Sequence, residues 1–225
     1  DFLSSSENHF SNWIDFLEEA YEYNEMLLPS ALLYKDTNKR DFVKQIERLE
    51  SRFGHYAIKV DPHSKRDVMA AVTAASVVGN VDNIIIFLDV GQITPVRQQS
   101  CLSATIDAIN SIRQVDESIN ISTTGSSFPR AFTEYIGKNG VSGSIPMLEW
   151  INFHAFGGSD VAMYGDYASI HGEFYQGSMA KFVARVDYPT PGEWVFERRP
   201  VRGEEDRQSL YAEAAQGIIN NEGWD

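Results

Sequence analysis

The sequence predicts an α/β fold: a (β/α) barrel-like parallel sheet, incomplete at both ends, followed by a late antiparallel hairpin. The main observation is that short strand-like apolar runs alternate with amphipathic helical segments, the pattern of right-handed βαβ crossovers. Polar residues end two of these strands, where the sites of β/α barrels gather. No strand is followed by the glycine-rich turn typical of many doubly wound sheets. An open doubly wound sheet also satisfies the alternation, and the last two observations favour the barrel.

The first part of the chain predicts two helices and two strands. Residues 10–23 indicate a helix and residues 27–34 a strand. A second helix is predicted over residues 41–53, because its apolar residues recur at spacings of four, three and four and so share one face. Gly54 ends that helix, as glycine often does. Residues 55–61 follow as a strand whose side chains alternate between two faces.

The same unit then repeats. Ser64 can cap a helix that Gly79 and Asn80 close. Residues 83–89 are almost continuously apolar, which predicts a strand buried on both faces of a parallel sheet. Pro95 opens a further helix, and residues 119–124 form the next strand.

The pattern changes in the last third of the chain. Residues 147–156 are short and aromatic-rich, and residues 161–166 indicate another strand. Two runs, 181–188 and 194–199, flank a proline- and glycine-containing turn and predict an antiparallel hairpin. A last helix is predicted over residues 209–219.

The number of strands indicates an incomplete barrel. Five or six strand-like segments precede crossover positions, whereas a closed barrel of this type has eight. We therefore expect one strand before residue 1 and another after residue 225, so that residues 1–225 are a single β/α domain of a longer chain.

Composition limits the partners. The formal net charge is −13 and the isoelectric point is near 4.8, which counts against general nucleic-acid binding and against anionic membranes. A local basic patch at Arg198, Arg199 and Arg202 is one interpretation, and a solvated hairpin is the other. The single cysteine, Cys101, is expected to be buried in a helix. A lone thiol and the lack of a leader or a bilayer-spanning apolar run of about 20 residues predict a cytoplasmic protein.

Acidic residues at strand ends are the sharpest candidates for chemistry. Asp61, Asp89 and Asp166 each finish a predicted strand, with Lys59 and Arg185 expected nearby. In a barrel these groups would converge and could hold a divalent metal, bind a phosphate or act as general acid and base. Alternatively, each aspartate caps the helix that follows its strand.

A second group of candidates would bind a ligand. Ser126 and Ser127 lie in a hydroxyl-rich loop after a strand, which can hold an anion or simply form a capped turn. Glu149 stands beside Trp150, a pairing that also suits packing with a polar edge. Together with Lys59 and Arg185, the binding candidates are Ser126, Ser127, Glu149 and Tyr167.

Three late segments resemble one known family. They are Ser-Ile-Pro-Met-Leu-Glu-Trp at 144–150, Val-Ala-Met-Tyr-Gly-Asp-Tyr at 161–167, and an aromatic hairpin with arginines over 181–199. They resemble the late part of the phage-associated Beta protein family, specifically over residues 143–225 and only in general pattern before that.

The resemblance implies a role in phage biology. The namesake of the family belongs to the Gop–Beta–CII cluster of satellite phages, where Gop is toxic and Beta is thought to restrain it. It therefore implies an antitoxin-like or sensor component of abortive infection, with a protein partner that is a toxin-like effector. It carries over no catalytic residue and no cofactor. Three hypotheses stay open: such a regulator, a metal-assisted phosphodiesterase or hydrolase, and a protein that binds a nucleotide or small anion without turnover.

Overall fold

The computed structural model describes residues 10–131, 133–138, 140–174, 182–201, 203 and 206–221. In chain order the elements are α1 (Ser11–Tyr23), β1 (Ser30–Ala31), α2 (Lys39–Phe53), β2 (Tyr56–Val60), α3 (Lys65–Val77), β3 (Ile84–Gln92), α4 (Gln98–Arg113), β4 (Asn120–Ser126), β5 (Ser142–Pro146), α5 (Leu148–Ala155), β6 (Met163–Tyr164), β7 (Val183–Thr190), β8 (Glu193–Pro200) and α6 (Arg207–Ile219).

These elements divide into two compact units. Among the described residues, 10–90, 99–124 and 156–165 form the parallel unit, and 91–98, 125–155 and 166–221 form the antiparallel unit. The prediction of a single domain is not decided by this division and stays a prediction.

The parallel sheet has the strand order β1-β2-β3-β4-β6. The pairs β1–β2, β2–β3 and β4–β6 run parallel. The order follows the chain and never reverses, whereas a doubly wound sheet reverses at its switch point. The predicted α/β class with a parallel sheet is therefore confirmed, and closure into a barrel stays a prediction.

The core of the parallel unit lies between strand and helix faces. Ile46 and Leu49 of α2 are fully buried, as are Ile86 and Leu88 of β3. The sequence predicted β3 as buried on both faces, but Ile85 and the other alternate residues are only half-buried. Side chains point alternately to the two faces of a strand, so Ile84, Ile86 and Leu88 are buried on one face of β3, while the other face is buried only in part.

Local capping signals were predicted correctly. The Ser64 side chain accepts a hydrogen bond from the Asp67 N–H at the start of α3. Gly54 ends α2 with a φ of 74°, a left-handed conformation that favours glycine. Helix α2 begins earlier than predicted, because the Asn38 side chain accepts a hydrogen bond from the Asp41 N–H.

The late hairpin is confirmed, but it belongs to a three-stranded antiparallel sheet with the order β5-β8-β7. Pro191 and Gly192 form the β7–β8 turn, and Gly192 has a φ of 86°. Strand β5 was not predicted, because its sequence Ser-Gly-Ser-Ile-Pro lacks the apolar alternation of a strand. Tertiary packing forms it instead: a Cβ on Gly143 would collide with the Tyr135 carbonyl oxygen and the Phe196 ring.

Cys101 is buried, as predicted. Within the described residues, no helix combines the length and the apolar character needed to cross a lipid bilayer.

Candidate functional site

The candidate site is a polar network in the antiparallel unit. At its centre, the backbone N–H of Ser127 donates a hydrogen bond of 2.7 Å to Oε2 of Glu149. The Ser127 hydroxyl donates to the Pro146 carbonyl oxygen at 2.8 Å and accepts from the Leu148 N–H at 3.0 Å. Ser127 thus fixes the loop after β4 against the first turn of α5. Both Ser127 and Glu149 are buried.

A second set of bonds holds residues 170–172 against the same loop. The Ser126 hydroxyl donates to the Ile170 carbonyl oxygen at 2.6 Å. Nδ1 of His171 lies 2.9 Å from the Phe128 carbonyl oxygen, so this nitrogen carries the proton. The side-chain oxygen of Gln92 accepts from the Gly172 N–H at 2.7 Å. Together these bonds fix the segment that follows Asp166.

The pKa of Glu149 is raised, because this residue is buried, whereas glutamate usually lies at the protein surface. Burial raises the pKa of Glu149, the hydrogen bonds of Ser127 lower it, and the neighbouring Asp166 raises it, so that the pKa lies above the ordinary value. Oε1 of Glu149 is buried and accepts no hydrogen bond from the described residues. The same is true of Oδ1 of Asn152, three residues later on α5. Residues three apart on a helix are neighbours, so two unsatisfied acceptors lie on one helical face.

A charged cluster lies on one face of the antiparallel sheet. The guanidinium carbon of Arg185 lies 5.0 Å from the centroid of the Phe128 ring. Nε of Arg185 also forms an ion pair with Oδ1 of Asp187 at 3.0 Å and a hydrogen bond to Oδ2 at 3.2 Å. Burial raises the pKa of Asp187, and Arg185 and Ser169 lower it in part, so that the pKa stays raised. The Trp194 ring packs edge-on against Phe128 at 6.2 Å between centroids.

Asp166 has a local structural role. Its Oδ1 accepts a hydrogen bond of 2.8 Å from the Ala168 N–H, which forms a turn. Ala168 has a φ of 54°, a left-handed conformation that is costly for alanine. The turn therefore forms at some cost in backbone free energy. Tyr167, which lies between Asp166 and Ala168, is half-buried.

In the parallel unit, Asp61 directly follows β2 as predicted, but the prediction that Asp89 ends its strand is wrong, because β3 continues to Gln92. Nζ of Lys59 forms an ion pair with Oδ2 of Asp89 at 2.5 Å. The Asp89 side chain is almost fully buried, whereas the Lys59 side chain is 62% exposed. Asp61 is exposed, and its Oδ1 accepts from the His63 N–H at 2.8 Å, a turn before α3. The structure brings Lys59 and Asp89 together and assigns Asp61 to a loop.

Two of the three aspartates thus form local turns, and the third is ion-paired. Asp61 and Asp89 belong to the parallel unit and Asp166 to the antiparallel unit. Within the described part of the chain, no three His, Cys, Asp or Glu side chains gather closely enough to hold a metal ion. A metal site made by Asp61, Asp89 and Asp166 therefore gains no support from this arrangement.

The structure adds residues that the sequence did not indicate. Asp187 lies two residues after Arg185, so strand alternation alone places both on one face, and this signal could have found it. Asn152 could have been found in a similar way, because it lies three residues after Glu149 and so on the same face of the helix. Gln92 has none, because its partner Gly172 is eighty residues away along the chain.

Comparison with known proteins gives one family. A model of the Beta protein family matches residues 1–225. "Protein beta" of Enterobacteria phage P4 is 34% identical over 218 residues, which cover 96% of this chain and 58% of the relative. The chain therefore spans less than two thirds of the length of that relative. No solved structure matches the chain.

Proposed function

Because this chain belongs to the Beta protein family, we propose that it is a regulatory component of a phage-defence system, antitoxin-like, that restrains a toxic partner protein. In this role it recognises the partner and, as a sensor, responds to infection by releasing it. It acts by binding rather than by turnover.

One observation carries this proposal: the family match extends over the whole chain, and the matched relative is a phage protein. The resemblance of residues 143–225 to that family implies the same kind of role. The match covers 58% of the relative's length. The proposal therefore concerns only what this β/α region contributes to the function of the longer protein.

The local environment of the acidic candidates supports binding over catalysis. Asp61 and Asp166 each accept a hydrogen bond from a backbone N–H two residues later, and Asp89 is paired with Lys59. Each carboxylate is thereby occupied by a structural contact. The formal net charge of −13 supports a basic partner surface, because opposite potentials accelerate encounter and suppress other partners.

The test is a growth assay combined with co-purification. Each gene that neighbours this protein's own gene would be expressed from an inducible promoter, with and without the full-length protein, as a candidate for the toxic partner. We expect growth to stop when the neighbour is expressed alone and to recover when both are present. We also expect the two proteins to elute together after affinity purification.

Two variants make the result specific. Gly143→Val, which places a side chain against the Tyr135 carbonyl oxygen and the Phe196 ring, should disrupt the antiparallel sheet and abolish rescue. Arg40→Gln, at an exposed position of α2, should rescue like the unchanged protein. Normal growth with the neighbour alone, or elution of this chain without it, would contradict the proposal.

A further inference from the structure

The outer face of α1 carries apolar side chains that the fold leaves uncovered. Ile14 and Leu17 on the inner face are buried. By contrast, the exposed fraction is 50% for Phe16, 85% for Tyr23 and 90% for Met26, which follows the helix. Phe16 and Tyr23 are two helical turns apart, so both rings lie on the same face. Neighbouring exposed apolar side chains are typical of surfaces that bind other molecules.

The Phe16 ring is held in a fixed orientation. Nε1 of Trp13 donates a hydrogen bond of 2.8 Å to the Ser30 carbonyl oxygen. The Phe16 ring stacks on the Trp13 ring with 5.6 Å between the centroids. An aromatic side chain fixed in this way loses little conformational entropy when it contacts a partner. The fold therefore presents Phe16 as a pre-organised contact.

Acidic side chains surround the exposed rings. Residues 10–34 contain five acidic residues and no lysine, arginine or histidine. Among the described residues, Glu18 is ion-paired with Arg52 at 2.9 Å, whereas Glu19 and Glu22 take part in no ion pair. Both of these glutamates are exposed. The outer face of α1 is therefore both apolar and negatively charged.

The charges of α1 do not stabilise the helix. Because of the helix dipole, acidic side chains stabilise a helix in its first turn and basic ones in its last turn. Helix α1 has no acidic residue in its first turn and no basic residue in its last turn, and Glu22 lies beside its C-terminal end instead. Asp15 and Glu19 are like charges four residues apart, a spacing at which they destabilise a helix. The stability of α1 thus does not explain these carboxylates.

The composition of this face selects its occupant. Carboxylates beside exposed rings match a segment in which lysine or arginine alternates with apolar side chains, because opposite charges attract and apolar surfaces lose water on contact. An anionic membrane or a nucleic acid would be repelled. A second copy of this chain would bring the same negative charge against the face.

We propose that the outer face of α1, from Phe16 to Met26, is a docking surface for a basic amphipathic segment of a partner protein. Lysine or arginine side chains of that segment contact Glu19 and Glu22, and its apolar side chains cover Phe16 and Tyr23. The inference rests on the proposed function, in which a partner protein is bound, and it names the surface and the chemistry of that partner.

Calorimetry with a defined peptide tests the surface on the full-length protein. The probe is a peptide that repeats Leu-Lys-Lys-Leu-Leu-Lys-Leu, and the comparison is the same peptide with glutamate at every lysine. We expect the lysine peptide to bind and the glutamate peptide not to bind. The affinity for the lysine peptide should fall as sodium chloride is added, because salt screens the attraction between exposed charges.

Two variants separate the contributions of charge and apolar contact. Glu19→Gln combined with Glu22→Gln should weaken binding of the lysine peptide about fivefold, and Tyr23→Ser should weaken it about tenfold. Asp107→Asn combined with Glu117→Gln is the control, because it removes the same charge at exposed positions elsewhere, and it should bind like the unchanged protein. The first pair should not lower the melting temperature, because it reduces repulsion within α1.

Several results would overturn the proposal. If the control pair weakens peptide binding as much as Glu19→Gln with Glu22→Gln, the effect is one of overall charge alone. If Tyr23→Ser converts a self-associated protein into a smaller species in sedimentation, a second copy occupies the face. Protection of Tyr23 and Met26 from hydroxyl-radical oxidation in the unbound protein would show that another part of its own chain covers them.

The growth assay separates failure of this inference from failure of the proposed function. If Tyr23→Ser binds the toxic partner and rescues growth like the unchanged protein, the docking surface is wrong and restraint of the partner stands. If the unchanged protein rescues no growth but binds the lysine peptide as expected, the proposed function is wrong. The surface then stands as a binding site for another basic partner.

Discussion

The N–H of Ser127 donates a 2.7 Å hydrogen bond to Oε2 of Glu149, which lies twenty-two residues later on α5. Both residues are buried, so breaking this bond would leave a buried donor without its acceptor. This bond joins the loop after β4 to the first turn of α5.

The Ser127–Glu149 bond should therefore contribute to stability. Glu149→Ala leaves the Ser127 N–H buried without an acceptor, and we expect a loss of about 1–3 kcal/mol in the free energy of unfolding. Glu149→Gln keeps a carbonyl oxygen that can accept from Ser127 and should cost much less. Urea unfolding at neutral pH measures both variants. Equal losses for alanine and glutamine would show that the bond contributes little.

Glu149 should also make stability depend on pH. Its pKa is raised by burial, and further by Asp166, above the ordinary value. The folded state therefore holds the proton more tightly than the unfolded state, so this stabilising contribution is present below the unfolded pKa and is lost as pH rises through the folded pKa. Carbon NMR of the Glu149 carboxyl group should show the raised pKa directly. Glu149→Gln should remove this part of the pH dependence, and an unchanged profile in that variant would assign it to another group such as Asp187.

Glu50 should contribute with the opposite sign. Burial alone would raise the pKa of Glu50, but hydrogen bonds from Gly79, Asn83 and Asn80 outweigh it and lower the pKa. Its contribution is present above the unfolded pKa and is lost as pH falls through the folded pKa. Glu50→Gln should therefore reduce stability at neutral pH more than at acidic pH, as urea unfolding at both values would show. A loss of equal size at both values would exclude a role for the charge.

Ala168 has a strained backbone conformation, and replacing it by glycine should increase the free energy of unfolding. Its φ of 54° lies in the left-handed region, which costs non-glycine residues roughly 1–2 kcal/mol. After the entropy cost of glycine, Ala168→Gly should raise the free energy of unfolding by about 0.5–1 kcal/mol. The control is Ala70→Gly inside α3, which should lower it by about 1 kcal/mol. A loss of stability in both variants would contradict the assigned strain.

Gly143 should tolerate no side chain. An added Cβ would collide with the Tyr135 carbonyl oxygen and approach the Phe196 ring to 2.7 Å. We expect Gly143→Ala to cost at least about 1–3 kcal/mol, since a packed sheet relaxes little. Gly203→Ala, where no described residue lies within 4 Å of the added atom, should be nearly neutral. Similar melting temperatures for the two variants would contradict this packing.

Much of the parallel unit could be predicted from the sequence, because its signals are local. The Ser64 cap, the Gly54 helix end, the alternation of β2 and the continuous apolar run of β3 each involve residues a few positions apart. Lys59 and Asp89 lie on the neighbouring parallel strands β2 and β3, and the expected proximity of the two is confirmed by their ion pair, although Asp89 does not end its strand.

In the antiparallel unit, one strand and several contacts could not be predicted from local sequence patterns. Strand β5 has no strand-like pattern of its own and forms because Gly143 allows close contact with Phe196. The contact of Gln92 with Gly172 depends on two segments eighty residues apart. No periodicity encodes such a contact.

The sequence by itself determined the α/β class, the positions of the main helices and strands, and the family. Only the tertiary structure decided which polar groups meet. It placed Asp166 in a different compact unit from Asp61 and Asp89, buried Glu149 against Ser127, and set Arg185 opposite Arg198. The physical reason is that the spacing of apolar residues, which indicates a helix or a strand, involves residues close together in the chain. Strand register and buried hydrogen bonds depend instead on packing between distant segments.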